Sequence, residues 1–206
     1  MKRELYFSLD VEADGPIPGP HSMLSFAVVV FDPAVDVALQ SKDHSERMDC
    51  FTMNLTTLPD ARPDPVTTKE FWDKNPKAYE AARTNIVNPI EGIPRFVKWV
   101  DKVCQDRQAI PVAVAYPGSY DFMFVYWYLQ KFAGRSPFGF QCLDLKTLAM
   151  ATLGTSFKDA HKKNFPRAWF EHAPVHSHLA LDDAWEQGIV FCHVFEQLKN
   201  IHHQKP

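Results

Sequence analysis

The chain has 206 residues, of which 46% are hydrophobic and 23% are charged, and its formal net charge is −3. This length and composition are those of one globular domain with a real core, so we expect residues 1–206 to form a single domain. The slight negative charge excludes a broadly basic surface that coats nucleic acid. It does not exclude an enzyme whose cleft alone attracts phosphate, because bound metal ions can supply the positive charge there.

The cysteines and the apolar runs bear on the compartment. Four cysteines are scattered without a Cys-x-x-Cys pair and lie mostly in apolar surroundings. We therefore interpret them as reduced core residues of a cytoplasmic protein. Basic residues at the start are followed by an apolar stretch that Asp10 and Glu12 interrupt, which is atypical of a signal peptide. The longest apolar runs are too short to span a bilayer, so we expect no membrane association.

In chain order, strands come first. The run from Leu5 to Glu12 has strand character, and the β-branched stretch Val28-Val29-Val30 marks a second, buried strand over Met23–Phe31. Residues 36–46 are polar and predict a loop, and residues 47–55 predict a third strand. Three successive strands with short connections indicate an antiparallel meander.

Helices and further strands alternate after the meander. Thr67 or Thr68 is a candidate cap for a short helix, and Pro76 suits the first position of another. The remaining predicted elements are a helix over 89–104, a strand over 110–115, a buried helix from Tyr120, a strand over 141–145, a helix over 146–153, a basic and aromatic loop through Lys162 and Phe170, and a last helix over 180–199. This order predicts an α/β fold in which a mixed β-sheet, an antiparallel meander followed by parallel strands, is flanked by helices.

Asp10 and Glu12 are the first candidate site residues. Because residues i and i+2 of a strand project from one face, the two carboxylates would lie side by side near the core. Two buried carboxylates repel each other, and a divalent cation between them would remove the repulsion. An ordinary strand end with two solvated acids explains this stretch equally well.

Two later stretches add carboxylates. Asp121 lies in the first turn of a predicted helix that directly follows a strand, where open α/β sheets bind ligands. An acid that merely favours the helix dipole is the competing explanation. Asp183 lies in the first turn of the last helix, and His178 precedes it by five residues. His172, His176 and His178 could instead form a zinc set, although their spacing matches no tight signature.

Taken together, these residues resemble a known family. Asp10-x-Glu12 on a first strand, Asp121 opening a helix, and the segment from His178 to Asp183 look like the three motifs of the DEDDh 3′–5′ exonucleases, with an RNase T-like, ribonuclease H-like fold. The motifs occur in the family's order and span nearly the whole chain. Many members follow the acid pair with threonine and glycine, whereas this chain has Ala13-Asp14-Gly15.

The resemblance implies a reaction and a site. Asp10, Glu12, Asp121 and Asp183 would bind two Mg²⁺ or Mn²⁺ ions about 3.5–4 Å apart, and His178 would be the general base. The enzyme would release nucleoside 5′-monophosphates from single-stranded 3′ ends, with RNA favoured over DNA by likeness to compact stand-alone exoribonucleases. Homodimers are common among related enzymes, so a homodimer is a further expectation.

Two residues are candidates for contact with the substrate bases. Met23 matches a position where the family often wedges an apolar side chain between bases, and Trp72, beside Phe71, could stack a base. Both could equally be core residues. For the whole protein, the alternatives are a non-catalytic nucleic-acid or nucleotide-binding module that retains the fold and a zinc hydrolase built on the three histidines.

Overall fold

A computed structural model describes residues 3–33 and 49–203. Five strands form one sheet in the order β3-β2-β1-β4-β5. Their bounds are β1 Arg3–Ala13, β2 Met23–Phe31, β3 Cys50–Asn54, β4 Ala109–Ala115 and β5 Leu143–Asp144. Strands β1, β2 and β3 pair antiparallel, whereas β4 pairs parallel with β1 and β5 pairs parallel with β4. The predicted mixed sheet, with a meander followed by parallel strands, is confirmed.

Six α-helices cover the sheet in the described part of the chain. They are α1 Pro65–Glu70, α2 Pro76–Ala82, α3 Pro89–Asp106, α4 Gly118–Ala133, α5 Leu145–Leu153 and α6 Ala180–His203, with 3-10 turns at Trp72–Lys74, Lys162–Asn164 and Arg167–Phe170. None of these helices combines the length and the apolar character needed to cross a membrane.

The alternation of β1 divides the core between the two faces of the sheet. Leu5, Phe7, Leu9 and Val11 pack with α3 and α4 in one apolar cluster. The intervening residues face α5 and α6, where Tyr6 joins a second cluster. Ser8, on this second face, donates a 2.7 Å hydrogen bond to the carbonyl of Ala184 and so ties α6 to the middle of the sheet. The start of α6 is thereby held over the face that carries Asp10 and Glu12.

Several local predictions need correction. The connection between β2 and β3 is long rather than short, and the predicted loop over 36–46 lies outside the described residues. The cap of α1 is Asp64, whose carboxylate accepts a 2.7 Å hydrogen bond from the Thr67 N–H, so the helix begins before the predicted threonines. Cys50 is exposed, and of the four cysteines only Cys192 is fully buried.

Candidate active site

Three carboxylates meet where β1 passes under the start of α6. Asp10, Glu12 and Asp183 each offer an oxygen, and these oxygens lie within 4.8 Å of one another. Glu12 and Asp183 are buried, with 7% and 2% of their surface exposed. The period of two along β1 brings the first pair together, and the packing of α6 on the sheet brings in the third.

Asp121 is the fourth carboxylate. It lies in the first turn of α4, directly beyond the end of β4, and is 3% exposed. Its Oδ2 atom is buried and has no hydrogen-bond partner among the described residues. Burial, followed by the charge of Asp10, raises the pKa of Asp121, and Asp121 in turn helps to raise that of Glu12. An acid that only favours the helix dipole has no need of a buried oxygen without a hydrogen-bond partner. Asp121 therefore fits a cation site better than a simple acid at a helix end.

Burial and mutual repulsion both disfavour the charged forms of these acids. Burial is the largest cause of a raised pKa for both Asp10 and Glu12, and the neighbouring carboxylates raise these pKa values further. Three groups oppose the effect at Asp10: the positive charge of Lys162, a 2.7 Å hydrogen bond from the Gln187 amide to Asp10 Oδ1, and the charge of His176. A divalent cation would stabilise buried carboxylates that repel one another, and carboxylate oxygens are ligands that suit Mg²⁺ or Mn²⁺.

His178 lies beside the acids in an unusual backbone conformation. Its φ is 58°, in the left-handed region that is uncommon for residues other than glycine. Its ring meets the rings of Phe71 and His176 edge to face, with centroids 5.1 and 4.5 Å away. Burial, and then the charge of His176, lowers the pKa of His178, so its imidazole is neutral near pH 7.

His176 is a site residue that sequence reasoning did not assign. Its Nδ1 lies 2.8 Å from Asp183 Oδ1 and 3.4 Å from Glu186 Oε2, and these contacts raise its pKa to about 10. Lys162 also reaches Glu186, at 3.0 Å. The sequence signal that could have identified His176 is its position two residues before His178 in the same loop. His172 does not join the ligand group of His176, His178 and Asp183, so the alternative of a three-histidine zinc set is not supported.

Two open cavities of about 220 Å³ each flank Glu12 and His178. The first lies over the acid cluster, and its other walls come from the α1 segment and the start of α4. It is lined by Asp10, Val11, Glu12, Ala13, Thr67, Phe71, Tyr120, His176, His178 and Asp183. The second extends across the sheet to β3 and α2.

Neither residue predicted to contact bases lines these cavities. Met23 is fully buried, and Trp72 is 5% exposed. The Trp72 indole donates a 3.1 Å hydrogen bond to the Ala13 carbonyl and packs with Leu24, Ala78 and Ala82. The structure thus favours the core alternative for both residues, and Phe71 rather than Trp72 presents a ring to the cavity.

The loop after the acid pair is held by the fold. Asp14, where the family often has threonine, is 3% exposed, and its carboxylate accepts a 2.6 Å hydrogen bond from the Ser22 N–H. The Tyr120 hydroxyl donates to the Gly15 carbonyl at 3.2 Å. Asp14 therefore organises the connection between β1 and β2 and does not face the cavity.

Comparison with known proteins agrees with this geometry. The curated 3′–5′ DNA exonuclease Cap18 of Escherichia coli is 26% identical over 190 residues, which cover 92% of this chain and 90% of that protein. The nuclease domain of 3′hExo, a DEDDh family member bound to rAMP, superposes with a TM-score of 0.62 at 10% identity over 94% of this chain and 91% of that domain. A 3′-exonuclease recognising the 3′ end of the histone mRNA stem-loop gives 0.60 at 9% identity, over 95% and 83% of the two chains.

The resemblance to the DEDDh 3′–5′ exonucleases is confirmed. No family model matches the chain. The fold is that of DEDDh nuclease domains, a ribonuclease H-like mixed sheet flanked by helices.

Proposed function

We propose that this chain is a metal-dependent 3′–5′ exonuclease that acts on single-stranded ends, with residues 1–206 as one exonuclease domain. The observation that carries the proposal is the convergence of Asp10, Glu12, Asp121 and Asp183, which leaves a buried oxygen of Asp121 without a hydrogen-bond partner among the described residues. Such a cluster is unfavourable unless cations bind to it. The likeness to a DNA exonuclease over 92% of this chain supports the same activity.

The four carboxylates would hold two Mg²⁺ or Mn²⁺ ions. Their oxygens are the ligands that these hard cations prefer. The raised pKa values of Asp10, Glu12 and Asp121 indicate a site that lacks positive charge. When bound, two such ions supply the charge that stabilises the attacking and leaving oxygens of a phosphodiester.

His178 would act as the general base. Its imidazole lines the cavity beside Asp183 and is neutral near pH 7, so it can accept a proton from the attacking water. The new bond forms between that water oxygen and phosphorus, and the bond from phosphorus to the 3′ oxygen of the preceding nucleotide breaks. The product is a nucleoside 5′-monophosphate, and Phe71, Thr67 and Tyr120 line the space for its sugar and base.

DNA is the substrate that we propose. The relative with 26% identity is a DNA exonuclease, whereas the neighbours bound to rAMP or to an RNA stem-loop share only 9–10% identity. This weighting revises the preference for RNA drawn from the sequence. The comparisons give no support for a homodimer, which stays a prediction.

The test uses 5′-labelled single-stranded DNA and RNA of one sequence, with Mg²⁺, with Mn²⁺ and with a chelator. We expect a metal-dependent ladder that shortens from the 3′ end, and faster shortening of DNA. Faster shortening of RNA would overturn the sugar assignment. If neither strand shortens with any metal while the Asp10→Ala variant binds both strands as tightly as wild type, the protein is the binding module instead.

A further inference from the structure

The segment 155–170 is basic and aromatic. Of its residues, only Lys162 belongs to the candidate active site described above. The segment carries Lys158, Lys162, Lys163 and Arg167 against the single acid Asp159, so its net charge is +3 in a chain of net charge −3. Positive charge is therefore concentrated in this short stretch, while the rest of the chain is acidic.

The middle of this segment lies at the edge of the sheet that carries the acid cluster. Because β4 and β5 run parallel to β1, the carboxyl ends of all three strands lie at the same edge. Tyr116, just beyond β4, accepts a 3.3 Å hydrogen bond from the Lys162 N–H through its hydroxyl. The Lys162 ammonium lies 3.0 Å from Glu186 and lowers the pKa of Asp10 and Asp121. The middle of the segment thus lies beside the acid cluster.

Farther along the same edge, a lysine and an exposed ring stand together. Lys146, two residues beyond β5, places its ammonium 4.1 Å from the ring centroid of Phe157. Phe157 is 57% exposed, an unusual position for phenylalanine, and Lys158 beside it is also exposed. A base can stack on an exposed ring while the neighbouring ammonium groups contact phosphates.

The nearby acids accept local hydrogen bonds, and the segment keeps a net charge of +3 with Asp159 counted. Asp144 accepts hydrogen bonds from the Gly118 N–H at 2.8 Å and the Thr147 N–H at 2.7 Å. Asp159 accepts one from the Ser156 hydroxyl at 2.6 Å.

We propose that Lys162, Lys146, Phe157 and Lys158 form an edge track that binds the single strand 5′ of the scissile phosphodiester. This inference rests on the proposed function. Phe71 and Thr67 line the cavity over the acids, where the terminal nucleotide would sit. In this proposal, the rest of the strand leaves past Lys162 toward Phe157. One stacking ring with phosphate contacts suits an unpaired strand, whose bases are free to stack, better than a duplex.

The test compares the double variant Lys146→Ala/Lys158→Ala and the variant Phe157→Ala with Lys98→Ala. Lys98 is exposed on α3, which covers the other face of the sheet, so it is a matched control. Binding of fluorescently labelled single-stranded oligonucleotides of 4 and 12 nucleotides is measured by anisotropy in chelator, at several salt concentrations. Thermal unfolding of each variant confirms that it folds.

The two variants should differ in a defined way. The double variant Lys146→Ala/Lys158→Ala loses two phosphate contacts. For the 12-mer, this loss should flatten the slope of log affinity against log salt concentration by about 1.4. Phe157→Ala should weaken binding of the 12-mer on the order of tenfold with an unchanged slope, because stacking involves no counterion release. Binding of the 4-mer should change less in both cases.

The track is wrong if both variants bind the 12-mer with the affinity and salt slope of Lys98→Ala. If wild type shortens DNA or RNA in that case, the proposed function stands and only the track fails. If wild type neither binds nor shortens either strand, both proposals are overturned.

Discussion

At the scale of single residues, His178 combines three features expected of a general base. It lines the cavity beside the acids, its pKa is lowered, and its ring packs edge to face against the rings of Phe71 and His176. A left-handed residue other than glycine costs of order 1–3 kcal/mol, which the surrounding packing must offset. The fold therefore maintains a strained conformation at the residue that the proposed chemistry uses as its base.

His178→Ala should lower kcat roughly 10²–10⁴-fold, because that is the usual contribution of a positioned base. Since the base must be neutral, wild-type activity should persist through neutral pH and fall only when the pH drops below the lowered pKa of His178. Single-turnover cleavage of a labelled oligonucleotide measures both effects. His172→Ala is the control, because His172 also has a positive φ but lies outside the ligand group. Full activity of His178→Ala would refute the assignment.

Phe71 and its neighbour Trp72 have separable roles. Phe71→Ala should raise KM and also lower kcat, because its ring lines the cavity and contacts His178. Trp72→Phe should lower the free energy of unfolding by about 0.5–1.5 kcal/mol through loss of the hydrogen bond to Ala13, with little change in KM. Steady-state kinetics measures the effect of Phe71→Ala on KM and kcat, and chemical denaturation measures the effect of Trp72→Phe on the free energy of unfolding. A large rise in KM for Trp72→Phe alone would restore the predicted stacking role of Trp72.

At the scale of elements, the seating of α6 on the sheet decides where Asp183 lies. Gly188, one turn beyond the acids, packs directly against the ring of Phe31 on β2, and an added Cβ there would overlap that ring. Glycine in a helix normally costs about 1 kcal/mol relative to alanine, so its presence here reflects this close approach.

Gly188→Ala should destabilise the protein by about 1–3 kcal/mol, since overpacking outweighs the gain in helix propensity. It should also lower kcat, because α6 must move away from β2 and carry Asp183 with it. Denaturant unfolding and kinetics test this. Adding Phe31→Leu should recover part of the loss in both measurements, and a stabilised, fully active single variant would contradict the argument.

At the scale of the whole molecule, the acid cluster links stability to pH and metal. Asp10 and Glu12 have raised pKa values in the folded chain, so the unfolded chain gives up their protons more readily. In the absence of metal, the protein therefore loses stability as the pH rises above about 4, which is the pKa of these acids in the unfolded chain.

The metal-free protein should therefore have a lower Tm at pH 8 than at pH 5.5, and Mg²⁺ or Mn²⁺ should raise Tm more at pH 8. Asp10→Asn removes one charge and should raise the metal-free Tm at pH 8 by about 2–4 °C for each kcal/mol of repulsion relieved. Asp60→Asn, at an exposed position, should leave Tm unchanged. Differential scanning calorimetry in chelator and in metal measures this, and equal Tm values for wild type and Asp10→Asn would contradict the cluster's electrostatics.

The sequence by itself determined the parts that depend on local periodicity. The period of two in β1 placed Asp10 and Glu12 on one face, and helix-start signals placed Asp121 and Asp183 in first turns. With the order of elements, these patterns were sufficient to predict the mixed sheet and the four acids of the candidate site. Each pattern depends on neighbours only a few residues away.

Only the tertiary structure decided which side chains share the cleft. The bond from Ser8 to Ala184 joins residues 176 positions apart, and no local pattern predicts such a contact. The same long-range packing buried Met23 and Trp72, brought Phe71 to the cavity, and set His176 and Lys162 beside the acids. Burial and partner choice depend on how α6 and the α1 segment pack over the sheet, and that packing is a property of the whole chain.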